Sequence, residues 1–176
     1  MSYKISREIL LKAPREKVWK TYRDYLPELA KTMKTVDKIE VVKREKVENG
    51  FRIKNKWKIS GGLPNSIQKI APARLLSYYD NAFWDESRWV CDFVEKPIDD
   101  NGVYKCVGQN IFEEIDNNTR LIISFELIIY PEKIPAVPGF LKRALVSKIE
   151  KIISKEVVKN LASTAKHVEE FIHTKE

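Results

Sequence analysis

Ala13-Pro14-Arg15-Glu16-Lys17-Val18-Trp19 marks a change of period in this chain. Before it, residues 3–12 alternate weakly, with Ile5, Arg7, Ile9 and Leu11 set against Lys4, Ser6, Glu8 and Leu10, which predicts a strand. Pro14 suits the first turn of a helix, where its missing N–H costs nothing, and Val18, Trp19, Tyr22 and Leu26 then recur at helical spacing. Pro27 interrupts that pattern, and residues 28–33 are expected to form a second short helix. At the far end, one long helical pattern runs from Phe140 to His173. It carries Leu141, Leu145, Ile149, Ile152, Leu161, Ala165, Val168 and Ile172 along one side. The span between reads as strands, almost without helix signal. One long helix set against one antiparallel sheet is an α+β arrangement able to wrap a pocket, which points to a binder of something apolar.

The strand signals are specific about faces. Residues 38–48 form one candidate, and Asn49-Gly50 closes it with a strong hairpin signal. The return strand, residues 51–60, alternates strictly: Phe51, Ile53, Asn55, Trp57 and Ile59 on one face, Arg52, Lys54, Lys56 and Lys58 on the other. One face is therefore buried and the other wet. Gly61-Gly62-Leu63-Pro64-Asn65 breaks the run, and residues 66–71 are a shorter strand candidate. Further strands are expected over residues 74–84, 87–95, 104–114 and 120–130. In the last, Leu121, Ile123, Phe125, Leu127 and Ile129 point inward and Ile122, Glu126 and Ile128 outward. The loop of residues 131–139 holds three prolines and the exposed-looking apolar residues Ile134, Ala136 and Val137. With no internal repeat and no linker, residues 1–176 read as one domain.

Composition narrows the function classes. At 43% hydrophobic and 32% charged, the 176 residues can build a sizeable core, and disorder is not expected. The net charge of +7 would suit anionic partners. The lysines, however, are interleaved with glutamates, as in Lys43-Arg44-Glu45-Lys46 and Lys148-Ile149-Glu150-Lys151, which reads as a solvated mixed face. Nucleic acid is not an expected partner, since no recognised motif is present. No run reaches the ~18 apolar residues of a membrane span and the N-terminus lacks a secretory pattern, so a cytoplasmic location is expected. Cys91 and Cys106 fall on neighbouring strand candidates and read as small buried apolar residues rather than a disulfide. No Cys/His spacing suggests a metal, and no phosphate loop or dinucleotide fingerprint suggests a cofactor. His167 and His173, the only histidines, sit near the end of the final helix, away from any convincing nucleophile, so no catalytic residue is assigned.

The order of strand, short helices, antiparallel strands and long helix resembles the START-like (SRPBCC) superfamily, the helix-grip or Bet v 1-like fold. Two motifs strengthen the resemblance. Ala13-Pro14 followed by Val18-Trp19 is similar to the corner that opens the first helix in many members. Ala71-Pro72-Ala73-Arg74-Leu75-Leu76 is similar to their mid-sheet step. The resemblance covers nearly the whole chain and specifies fold better than function. It implies a curved sheet gripping the last helix with a cavity between them. Lipid carriers, coenzyme Q binders, polyketide cyclases, hormone receptors and chaperone activators all share this architecture.

On that basis the leading expectation is a protein that binds or carries a lipid or other hydrophobic small molecule without changing it, as a monomer or homodimer. Asn55, Tyr78 and Asn110 are the candidate polar anchors; Trp57, Trp84, Trp89, Phe112 and Phe125 are the candidate apolar walls, although Trp57 also suits plain core packing. Buried amides need partners, which a ligand can supply. Tyr78, Asp80, Ala82 and Trp84 share a face, and periodicity leaves open whether it points inward. If it does, Asp80 becomes a candidate acid or acceptor with a raised pKa. Gly108 beside Asn110 leaves room for something or marks curvature. The connector of residues 131–140, with Lys133, Lys142 and Arg143, suits a rigid link, a gate or a transient membrane contact. Two alternatives stand beside the carrier: an enzyme resembling polyketide cyclases or dehydratases, working through Asp80 or Tyr78, and a protein-interaction module resembling chaperone activators, with a filled core and an apolar patch around Ile122 and Ile128.

Overall fold

The structure, a computed structural model, describes residues 1–59, 77–99, 102–134 and 137–175, and the side chains of all of these except 152, 153, 156 and 157. The expected bend at residues 61–65, strand at 66–71 and step at 71–76 lie outside the described residues, as does Ala136. The described elements are strand β1 (Ser2–Leu11), helices α1 (Arg15–Asp24) and α2 (Leu26–Ala30), and strands β2 (Val36–Val47), β3 (Gly50–Ile59), β4 (Ser77–Asp85), β5 (Val90–Pro97), β6 (Tyr104–Ile115) and β7 (Asn118–Ile129). A single 3-10 turn (Pro131–Lys133) and the closing helix α3 (Gly139–Thr174) follow. The seven strands form one antiparallel sheet in the order β1-β7-β6-β5-β4-β3-β2. This is the helix-grip architecture, with the long helix and the two short ones on the concave face.

Turn chemistry sets the register. Gly50 holds φ at 147°, and a Cβ there would lie 1.8 Å from the Trp84 carbonyl oxygen, so only glycine closes the β2–β3 hairpin against β4. Asp116 and Asn117 both take positive φ, as a two-residue turn matched to strand twist requires. β5 begins at Val90, later than residue 87. The Asp85 carboxylate accepts hydrogen bonds from the Ser87 N–H (3.0 Å), the Ser87 hydroxyl (2.6 Å) and the Arg88 N–H (3.2 Å), winding this stretch into a turn with Trp89 at φ 56°.

Prolines behave differently from the sequence expectation. Pro14 is the N-cap residue of α1 rather than part of its first turn, and its carbonyl accepts from Lys17 and Val18. Pro27 sits in the first turn of α2 instead of interrupting a helix, because an N–H there has no partner to lose. α2 consequently spans Leu26–Ala30, earlier than residues 28–33.

Two apolar clusters occupy the ends of the concave face. Around Trp19, 2% exposed, the rings of Trp84 (5.0 Å), Trp89 (5.5 Å) and Phe112 (5.0 Å) all stand edge-on, with Leu11, Val18, Leu121 and Val168 packed beside them. The buried Thr119 hydroxyl donates to the Ala13 carbonyl at 2.7 Å, fastening the corner before α1 to β7. At the other end Val103, Cys106, Leu127, Ile129, Leu145 and Val146 pack together with Ile134. Ile134, expected on the surface, is buried there. Leu141 is 46% exposed rather than on the inner stripe of the helix, and Val146 takes the buried position. Cys91 and Cys106 are both buried free thiols.

Candidate functional site

Strand register decides which side chains share the concave face. Asn55 opposes Asp80, Asp80 opposes Glu95, and Glu95 opposes Cys106, a continuous row across β3, β4, β5 and β6. Directly opposed residues point to the same side. The next row pairs Trp57 with Tyr78, whose rings stack at 5.7 Å and 12°. Asp80 thus faces inward: it is 8% exposed and Asn55 is 3% exposed.

This row is polar and incompletely paired, buried at Asn55, Asp80 and Cys106 and half-buried at Glu95. The Asn55 Nδ2 donates to Asp80 Oδ2 at a long 3.4 Å. The Trp57 indole N–H faces the same carboxyl group without closing a full hydrogen bond. Asn55 Oδ1, Asp80 Oδ1 and Trp57 Nε1 are buried and have no hydrogen-bond partner. Buried polar atoms are nearly always satisfied, so three unpaired ones in adjacent rows set this part of the sheet apart.

Burial dominates the electrostatics. It raises the Asp80 pKa, against the pull of Asn55 and Trp57. It raises Glu95 as well, helped by the Asp80 charge opposite and opposed by the Cys106 thiol, which donates toward the Glu95 carboxyl. The Tyr78 phenol and the Cys106 thiol are pushed up by the same burial and stay neutral. No Lys or Arg pairs with Asp80 or Glu95 among the described residues. The basic side chains of β3 (Lys54, Lys56 and Lys58) lie on the convex face. Asp80 and Glu95 are thus opposed across β4 and β5, and burial pushes both carboxyls toward the protonated form.

The remaining predicted residues divide between this row and the packed ends. Asn110 lies on the concave face with an unpartnered buried Oδ1, but opposite Cys91 and Ile123, two rows along the sheet from Asp80. The structure does not bring it to Asn55 and Tyr78. Trp84, Trp89 and Phe112 face Trp19, which fills the space they were expected to line. Phe125 is half-buried and opposes Gly108, as does Phe93 from the other side. A Cβ on Gly108 would lie 2.3 Å from the Phe93 ring, so the room glycine leaves is taken by that ring. Glu95 was missed by sequence reasoning. Its signal lies in the alternation of the strand: residues 91, 93 and 95 share one face, and the third of them is Glu95. The histidines stay apart from the row; His167 Nδ1 lies 2.7 Å from the Ser163 carbonyl of its own helix. Among the described residues no group of three or more His, Cys, Asp or Glu is placed to hold a metal ion.

Solved structures resemble the chain over its length. One from Thermus thermophilus, TTHA0849, is 20% identical, with 99% of each chain covered and a TM-score of 0.66. The ZhuI aromatase/cyclase from Streptomyces sp. R1128 is 13% identical, with 96% of this chain and 94% of that one covered and a TM-score of 0.70. Ara h 8.0201 is 13% identical, with 99% of each covered and a TM-score of 0.54. These likenesses show the helix-grip (Bet v 1-like, START-like) fold. No protein-family profile matches the chain, and no curated protein matches it.

Proposed function

We propose that the chain binds and carries an apolar small molecule on its concave face, between the middle of the sheet and α3, with the Asn55–Asp80–Glu95 row holding the ligand's polar end. One observation carries this reading: Asn55 Oδ1, Asp80 Oδ1 and Trp57 Nε1 are neighbours on one stretch of the sheet, at the edge of the first apolar cluster, and all three are buried without a completed hydrogen bond. Affinity would come from burial of the ligand's apolar body, roughly 25 cal/mol per Å² before entropic costs. Specificity would come from the row. The test is titration with the neutral dye Nile red. One saturable site, weakened at least about tenfold by Trp57→Ala, is expected; no saturable binding contradicts the reading.

The proposal takes the chain as one unit acting in the cytoplasm, as a monomer or homodimer, with its ligand exchanged at an anionic membrane surface. Phe140 is 83% exposed at the start of α3, with Leu141 exposed beside it and Lys142 and Arg143 following. Such a combination suits shallow insertion among anionic head groups. No helix among the described residues is long and apolar enough to cross a membrane. Co-sedimentation with phosphatidylserine vesicles, lost in Phe140→Ser, checks this step.

A second reading is favoured by the opposed carboxyls. Two opposed carboxyls with raised pKa values can act as general acid and base, and an aromatase/cyclase is among the structures of the same fold. An enzyme would lose turnover, not ligand affinity, in Asp80→Asn. A carrier would lose affinity.

A further inference from the structure

The Asn55–Asp80–Glu95 row also constrains the charge of what it holds. Asp80 and Glu95 stand directly opposite each other, so whichever of them ionises does so beside a second acidic group. A buried negative charge calls for a cation or several donors. The donors within reach are few: the Asn55 amide at 3.4 Å, the Trp57 indole facing Asp80, and the Cys106 thiol toward Glu95. No basic side chain answers the charge among the described residues. On the concave face Arg7 stands on the opposite edge strand, bonded to the Ser6 carbonyl, and Arg44 pairs with Asp24. The two unpartnered oxygens, Asn55 Oδ1 and Asp80 Oδ1, are acceptors. A carboxylate head would meet like charge and two unpartnered acceptors there, against the Trp57 indole N–H as the unpartnered donor, and an alcohol offers a single donor. An ammonium offers three donors and the missing positive charge. The stacked rings of Trp57 and Tyr78, one row along, present π-faces that a cation favours.

We infer that the Asn55–Asp80–Glu95 row receives a protonated amine carried on an apolar body, and disfavours carboxylate-headed ligands of the same length. This rests on the reading of the concave face as a ligand pocket. The whole-molecule field works in the opposite direction, since a net charge of +7 repels cations and attracts anions. A preference for an amine would therefore report the local site.

The experiment is calorimetric titration of the full chain at pH 7 with dodecylamine, dodecanol and laurate, each below its micelle concentration. Dodecylamine is expected to bind roughly tenfold tighter than dodecanol, the ratio one charge-assisted bond supplies, and laurate weaker than either. Asp80→Asn is expected to bring dodecylamine down to the affinity of dodecanol. If that variant fails to fold, the ranking of the three ligands on the unmodified chain decides alone. Dodecanol or laurate binding as tightly as dodecylamine overturns the inference and leaves the pocket standing. No binding by any of the three removes the pocket reading as well.

Discussion

The Trp19 end of the concave face and the Asp80 row at its middle are built on the same strands and meet opposite fates. At the first, α1 drops an indole among three other aromatic rings and the space is filled. At the second, the inward positions carry an amide and two carboxyls that the protein only partly pairs. A packed end gives stability, while a polar, unsatisfied middle costs stability and makes sense as a place for a guest. The difference lies in what descends onto each part of the sheet rather than in the sheet itself.

Breaking the packed end should have the largest effect. Trp19→Ala is expected to cost about 3–5 kcal/mol, a cavity at the centre of an aromatic cluster, measured by urea unfolding. Gly108→Ala acts on the boundary between the two regions. Its new Cβ would meet the Phe93 ring and, at 2.7 Å, the Ser124 carbonyl oxygen, so a loss of about 1–3 kcal/mol and a displaced Phe93 are expected, read by unfolding and by aromatic NMR shifts. Thr119→Val should cost about 1–3 kcal/mol by leaving the buried Ala13 carbonyl unpaired, again by urea unfolding.

The middle of the sheet should respond in the opposite direction, and with pH. Glu95 has a raised pKa in the folded chain, so the folded state holds its proton to higher pH than the unfolded state does. Its burial costs nothing near pH 4, and the cost grows as pH rises through the raised folded pKa. Glu95→Gln is therefore expected to stabilise the chain at pH 9 by about 1 kcal/mol, a figure kept small because the residue retains exposed area, and to make no difference at pH 4. Unfolding curves at the two pH values check the sign. The smallest effect belongs to the surface: Phe140→Ser should leave stability within about 0.5 kcal/mol while removing vesicle binding.

Period and turn chemistry carried the sequence reading a long way. The strict alternation of residues 51–60 identified Asn55 as inward, and Asn49-Gly50 placed the hairpin that sets β2 against β3. The long apolar stripe marked the closing helix. Depth was not legible in the same way. Trp84, Trp89 and Phe112 share the right region of the sheet, yet nothing local to them says that Trp19 arrives from another element and covers them. Glu95 was hidden for a different reason. A glutamate reads as solvent-facing by default, and only the register with Asp80 makes its inward position plain. Asn110 has the right face and the wrong row, a distinction that alternation alone does not make.

The most direct measurement is native mass spectrometry of the purified chain, followed by organic extraction of whatever it carries. A discrete adduct that disappears on extraction, and returns when the chain is offered the extracted compound, is the predicted result. A bare chain that takes up nothing from a mixture of apolar amines, alcohols and lipids would contradict the account, and would mean that water alone satisfies Asn55, Trp57 and Asp80.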